Sequence, residues 1–201
     1  MLDAHLRTYI DPPLNRIGRG LAAAGVTANA VTLIGLVLGL VAATTIALGY
    51  PGWALIPLIG SRLLDGLDGA VARATKRTDF GGYLDISCDF LFYGAIPLGF
   101  ILMDPGANAI AGAVLLLSFY VNGASFLGYA ALAARRGLET SQRGLKNIYY
   151  SGGLLEGTET IAFFVLICCL PAQFAPLAFV FAALCFFTTV QRTLTARRNF
   201  E

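Results

Sequence analysis

Charge is scarce in this chain: of 201 residues, 14 are Lys or Arg and 12 are Asp or Glu, 13% in all. A soluble domain carries about 25%, so the shortage excludes an ordinary water-soluble protein. With 57% hydrophobic residues and 23 glycines, the composition is that of an integral membrane protein. The net charge is only +2, and no basic run is interleaved with aromatics, which excludes a nucleic-acid groove. Cys88, Cys168, Cys169 and Cys185 all fall in apolar segments without metal-type spacing and read as small packing or lipid-facing residues. There is no low-complexity tract, no internal repeat and no sign of a separate soluble domain. The first apolar stretch follows Asp3 and Asp11 and has no convincing cleavage site, so it is expected to stay as a helix.

What is present is a succession of long apolar runs. Six are expected to cross the membrane, at about 29–49, 52–73, 81–103, 108–134, 149–170 and 172–194, each long enough for a ~30 Å hydrocarbon core. Before them, residues 3–20 set Leu6, Ile10, Leu14 and Ile17 at helical spacing with Arg7, Arg16 and Arg19 elsewhere. This predicts an amphipathic helix in the interface, bent at Pro12 and Pro13. The fold class is therefore all-α: one membrane domain over residues 1–201, an interfacial helix at 1–20 and a six-helix bundle over about 29–194.

The basic residues orient it. They lie in the N-terminal segment, at 73–77, at 135–146 and in the tail from Arg192, and only Arg62 falls deep inside a span, away from its ends. The opposite connections near Tyr50, Asp104 and Pro171 have none. By the positive-inside rule both termini and the 74–80 and 135–148 connections are cytoplasmic, and a bacterial inner membrane is the expected location.

Against this background the acidic residues stand out. Asp65, Asp68, Asp85, Asp89, Glu156 and Glu159 are half of all the acidic residues and lie within spans. Each such charge costs ~2.5–3.5 kcal/mol or more in hydrocarbon. Asp65 and Asp68 are three apart and Asp85 and Asp89 four apart, so each pair shares a helical face. The short turn at 75–80 makes the second and third spans antiparallel neighbours. At ~1.5 Å per residue, Asp68 and Asp85 fall roughly 6–11 Å below the cytoplasmic surface, and Asp65 and Asp89 roughly 12–15 Å. Four carboxylates at matched depth form a hard-donor site for Mg2+, Mn2+ or Ca2+; no His or Cys partner accompanies them, which argues against zinc. An ion-pair network is the alternative, but Arg62 alone cannot neutralise four aspartates. Gly66, Gly69, Ala70 and Ala72 leave room for either a helix or a ligand, and Arg73 is either a diphosphate clamp or a boundary charge.

The run Asp65-Gly-Leu-Asp-Gly-Ala-Val-Ala-Arg73, followed by Gly81-Gly-Tyr-Leu-Asp85-Ile-Ser-Cys-Asp89, resembles the signature of the CDP-alcohol phosphotransferases at every fixed position. Val26-Thr-Ala-Asn29-Ala-Val-Thr32 is similar to the family's T-P-N-x-x-T segment, with Ala28 where proline is usual. The resemblance covers nearly the whole chain. It implies transfer of a substituted phosphate from a CDP-linked lipid such as CDP-diacylglycerol to a small alcohol, with release of CMP and dependence on Mg2+ or Mn2+, two ions being expected. It further implies Asp65, Asp68 and Asp85 as metal ligands, Asp89 as a further ligand and the general base, and Asn29, Thr32, Gly66, Gly69, Ala72 and Arg73 at the nucleotide diphosphate. A homodimer is the assembly it suggests.

Acceptor residues are less defined. Arg62 is a candidate acceptor residue; Glu156 and Glu159 share a face and either bind the acceptor or serve as a partner for Arg62 and an interfacial charge; Arg143 and Lys146 either hold a phosphorylated acceptor or set topology. Tyr149 and Tyr150 are read as interfacial belt residues. The run Phe90-Leu-Phe-Tyr-Gly94-Ala-Ile-Pro97 is similar to the phosphatidylserine synthase pattern. A serine-like alcohol therefore ranks first, glycerol phosphate second and inositol or its phosphate third. Outside this class, an intramembrane prenyltransferase, a divalent-cation transporter and a catalytically idle scaffold are the rivals. A prenyltransferase usually separates its aspartate segments further.

Overall fold

The computed structural model describes residues 2–137, 155 and 157–201, with side chains from residue 11 onward. All regular structure among them is helical: α1 (Leu2–Ala23), α2 (Ala28–Ala47), α3 (Pro51–Ala74), α4 (Asp79–Met103), α5 (Pro105–Arg135), α6 (Gly157–Cys169) and α7 (Phe174–Phe200), the last preceded by a 3-10 turn at Pro171–Gln173.

Local chemistry sets these boundaries. Thr27, Thr78 and Asp104 are N-caps whose side-chain oxygens accept from the amides of Ala30, Gly81 and Ala107 at 3.3, 3.0 and 3.1 Å. Each satisfies an amide that has no partner inside its helix. Pro51 and Pro105 occupy first helical turns, where no amide hydrogen is needed. Gly25 and Gly49, at φ 80° and 90°, end α1 and α2 in the left-handed region that a side chain disfavours.

α2, α4, α5 and α7 with its preceding turn are long and apolar enough to cross a membrane. α3 is as long, but Arg62, Asp65, Asp68 and Arg73 break its apolar run. The described part of the expected fifth span is the 13 residues of α6, and Tyr149 and Tyr150 lie outside the described residues. Trp53 (70% exposed) and Ile110 (76% exposed) lie on the outer surface, as lipid-facing residues do.

α2 is the shared support of the site, packing along both α3 and α4. α3 and α4, joined by only four residues (75–78), have no extensive close-packed interface of their own. The expected antiparallel neighbours meet through their acidic side chains and not through close backbone packing. A short turn fixes their direction but not their separation, and the acidic side chains occupy the space between them. α1 runs unbroken through Pro12 and Pro13 and packs on α3. There a Cβ on Gly18 would stand 2.7 Å from Ala70 Cβ. The core lies farther along the bundle, where Phe163 stacks on Phe181 at 4.1 Å and Phe100 on Phe174 at 4.7 Å.

Candidate metal centre

Residues α3 and α4 project toward each other decide the chemistry. One carboxylate oxygen from each of Asp65, Asp68 and Asp85 lies within 4.8 Å of the other two. Asp68 is buried and the other two are half-buried. Thr32 on α2 orients the cluster: its hydroxyl lies 2.6 Å from Asp68 Oδ2 and 3.1 Å from the Ala28 carbonyl. A hydroxyl has one proton, and the shorter contact assigns it to Asp68. Three hard oxygen donors, one of them steadied by a second-layer hydroxyl, fit Mg2+ or Mn2+.

Asp89 stands beside this group with a different partner. Arg62 Nη1 donates to Asp89 Oδ1 at 2.9 Å and lies 3.8 Å from Asp65 Oδ2. One arginine thus reaches both Asp65 and Asp89. Arg62 Nη2 donates to the Ser61 hydroxyl at 3.1 Å, and its guanidinium carbon lies 3.7 Å above the Phe92 ring. Arg62, read from sequence as an acceptor residue, therefore faces the acidic centre.

Toward the C-terminal end of α3, Ala72, Arg73, Thr75 and Arg77 line a cleft of about 410 Å3. Arg73 donates from Nε and Nη2 to Asn15 Oδ1 of α1 at 3.0 and 2.8 Å. It lies back over Gly69, where a Cβ would be 3.3 Å from Nη1. Gly66 faces α1, since a Cβ there would meet Leu14 Cδ1 at 2.8 Å, and Asn29 Oδ1 would lie 3.2 Å from a Cβ on Gly81. Glu159 is half-buried in the first turn of α6, while Arg143, Lys146 and Glu156 lie outside the described residues.

Sequence reading missed Asn15, Arg77 and Arg192. Arg77 follows Arg73 by four residues and had been read only as a topology charge. Arg192, read as a tail residue, is buried and donates from Nη1 to Asn122 Oδ1 (2.8 Å) and Ser125 Oγ (3.2 Å) on α5. An arginine one helical turn after the apolar run of α7 was the available signal.

Fold and site together define a membrane protein, all-helical among the described residues, with a carboxylate cluster able to hold a metal ion between two helices and an arginine-lined cleft on one of them. The sequence pattern of the CDP-alcohol phosphatidyltransferases matches residues 25–191, and the chain belongs to that family. It is 50% identical over 192 residues, 96% of this chain and 93% of the other, to the inner membrane protein YnjF of Escherichia coli. It is 42% identical over 98 residues to the archaetidylinositol phosphate synthase of Pyrococcus horikoshii, covering 48% of this chain and 52% of that one. The crystal structure of Mycobacterium tuberculosis phosphatidylinositol phosphate synthase with manganese and citrate superposes with a TM-score of 0.73 at 26% identity, over 91% of this chain and 88% of that one.

These relatives favour the inositol-type alternative over the serine-like acceptor placed first. Phe90 packs against Gly123, Phe92 lies under Arg62, and Ile96 and Pro97 are buried. Several residues of the run that suggested serine thus have packing roles.

Proposed function

We propose that this protein transfers the phosphatidyl group of a CDP-linked lipid such as CDP-diacylglycerol to a hydroxyl of an inositol phosphate, releasing CMP. The observation that carries the reading is the convergence of Asp65, Asp68 and Asp85 oxygens within 4.8 Å, next to the arginine-lined cleft. Family membership supports the CDP-linked donor, and the named inositol phosphate synthases support the acceptor.

In this reading the acceptor oxygen forms a bond to the lipid-side phosphorus, the bond from that phosphorus to the bridging oxygen of CMP breaks, and the acceptor's proton passes to Asp89. Asp65, Asp68 and Asp85 would hold Mg2+ or Mn2+, which when bound supplies positive charge to the diphosphate oxygens. Arg73 and Arg77 offer guanidinium donors to the same diphosphate, and Asn15 holds Arg73 in place. Arg62 engages Oδ1 of Asp89, which leaves Oδ2 as the oxygen to receive the proton. Asn29, Thr32, Gly66, Gly69 and Ala72 border the nucleotide. Six membrane crossings with cytoplasmic termini put this chemistry within reach of a lipid donor from the bilayer and a polar acceptor from water.

The role of Asp89 is tested by Asp89→Asn. Binding of CDP-diacylglycerol, followed by displacement of a fluorescent CDP-lipid, should persist while turnover falls by at least ~100-fold, the scale of a lost general base. Normal turnover in the variant would refute the assignment.

A further inference from the structure

We propose that Tyr93 is an acceptor-specificity residue, its hydroxyl binding a second hydroxyl of a polyol acceptor whose first faces Asp89. The inference rests on the phosphotransfer reading and deepens it, by assigning a group that recognises the acceptor.

Tyr93 follows Asp89 by four residues within α4, so the two share a helical face with Cβ atoms ~5–6 Å apart. Arg62, which donates to Asp89 at 2.9 Å, has its guanidinium carbon 5.9 Å from the centre of the Tyr93 ring. Along α3 the order is Arg62, Asp65, Asp68, Arg73. Arg62 and Tyr93 therefore stand at the end of the acidic centre opposite the cleft lined by Arg73 and Arg77. In phosphoryl-group transfer the attacking and leaving oxygens lie roughly in line. With the nucleotide diphosphate in the cleft, the acceptor approaches from the Tyr93 end.

The phenol is held in place by its neighbours. Its ring is flanked by Phe92 at 5.6 Å and Phe164 at 6.1 Å, both fully buried. A side chain fixed before the ligand arrives loses little freedom when it binds. At the tip, a Cβ on Gly157 would stand 3.5 Å from the Tyr93 hydroxyl oxygen. The hydroxyl thus reaches the start of α6, where Glu159 is half-buried in the first turn.

Packing alone would be served by phenylalanine here, as it is at Phe92 and Phe164. Tyr93 lies near the middle of α4, a helix long and apolar enough to cross a membrane. A hydroxyl at that depth needs polar company, and the acidic centre and the start of α6 provide it. Asp89 takes the proton of one acceptor hydroxyl, while Tyr93, both donor and acceptor, holds another one helical turn away. A ring bearing several hydroxyls can satisfy both groups. Serine, with a single hydroxyl, cannot.

The test is the kinetics of CMP release by the full chain in detergent, with CDP-diacylglycerol and Mn2+, comparing wild type with Tyr93→Phe. The variant keeps the ring and loses only the hydroxyl. Its KM for inositol phosphate should rise ~3–10-fold, the scale of one lost neutral hydrogen bond, with kcat changed less than KM. Displacement of a fluorescent CDP-lipid and affinity for Mn2+ should keep their wild-type values, which also reports a folded site. Monodeoxy inositol phosphates separate recognition from packing. The analogue lacking the hydroxyl that meets Tyr93 should be penalised in wild type and show no further penalty in Tyr93→Phe, while the other analogues keep theirs. An unchanged KM in Tyr93→Phe, or deoxy penalties identical in the two proteins, would overturn the proposal and leave the phosphotransfer reading intact. So would a variant that loses donor and Mn2+ binding too, since Tyr93 would then serve packing, or a wild type that prefers serine to inositol phosphate. Absence of CMP from wild type with every acceptor would remove the phosphotransfer reading and this inference together.

Discussion

Thr32 shows how one side chain on a neighbouring helix can govern a metal ligand. Its short bond holds Asp68 from α2. Thr32→Val keeps the shape and loses the proton, and second-layer losses of this kind reduce metal affinity ~10–100-fold. Titration with Mn2+ should show that loss while the helical circular dichroism is unchanged; an unaltered affinity would mean that Asp68 needs no such support. At this scale the sequence was informative where it was anomalous. Aspartates in a hydrophobic span announce themselves by their cost, and their spacing gave the shared faces. It could not assign Arg62, because the choice between Asp89 and an acceptor depends on the Phe92 and Ser61 surfaces that receive it. Nor could it separate Asp89 from its three companions, since spacing gives faces and not distances.

The helices were legible from capping residues and apolar length. Ala28–Ala47, Pro51–Ala74, Asp79–Met103 and Pro105–Arg135 fall within a few residues of the expected spans. α7 runs past the expected end at 194 because its last turns are polar but still helical. Less legible was the way α2 holds α3 and α4 around the site. This depends on small residues of α2: Gly35 approaches the Ser61 carbonyl and Leu64, while Ala43 meets Gly99 of α4. A Cβ on Gly99 would lie 2.6 Å from the Ala43 carbonyl oxygen, a backbone atom that cannot turn aside. Gly99→Ala should therefore destabilise the protein by ~1–3 kcal/mol, the usual penalty of overpacking. Gly52→Ala, which meets nothing within 4 Å, should not. Thermal unfolding in detergent would compare them, and equal stability of both variants would contradict the close α2–α4 contact.

For the whole molecule, the proposed orientation rests on charge placement. All basic residues except Arg62 belong to segments that the positive-inside rule assigns to the cytoplasm. α3 hides its crossing behind the very charges that make the site, and so the six crossings stand as a proposal. Fluorescent protein fused to either end should fluoresce, and alkaline phosphatase inserted after Tyr50 or Asp104 should be active. Phosphatase activity from a fusion at the C-terminus would reverse the topology. The acceptor was the least legible feature of all, because the run read for it, Phe90 to Pro97, includes residues such as Phe92 and Ile96 whose burial accounts for them.

The central claim is CDP-dependent transfer at the aspartate centre, and CMP release tests it most directly. Purified protein would be supplied with CDP-diacylglycerol, Mn2+ and, in turn, inositol phosphate, inositol, glycerol 3-phosphate and serine, with the lipid product followed by mass spectrometry. The account predicts CMP and phosphatidylinositol phosphate in equal amounts, fastest with inositol phosphate, and lost on chelation or in Asp85→Asn. Absence of CMP with every acceptor, or metal flux into liposomes without CMP release, would contradict it.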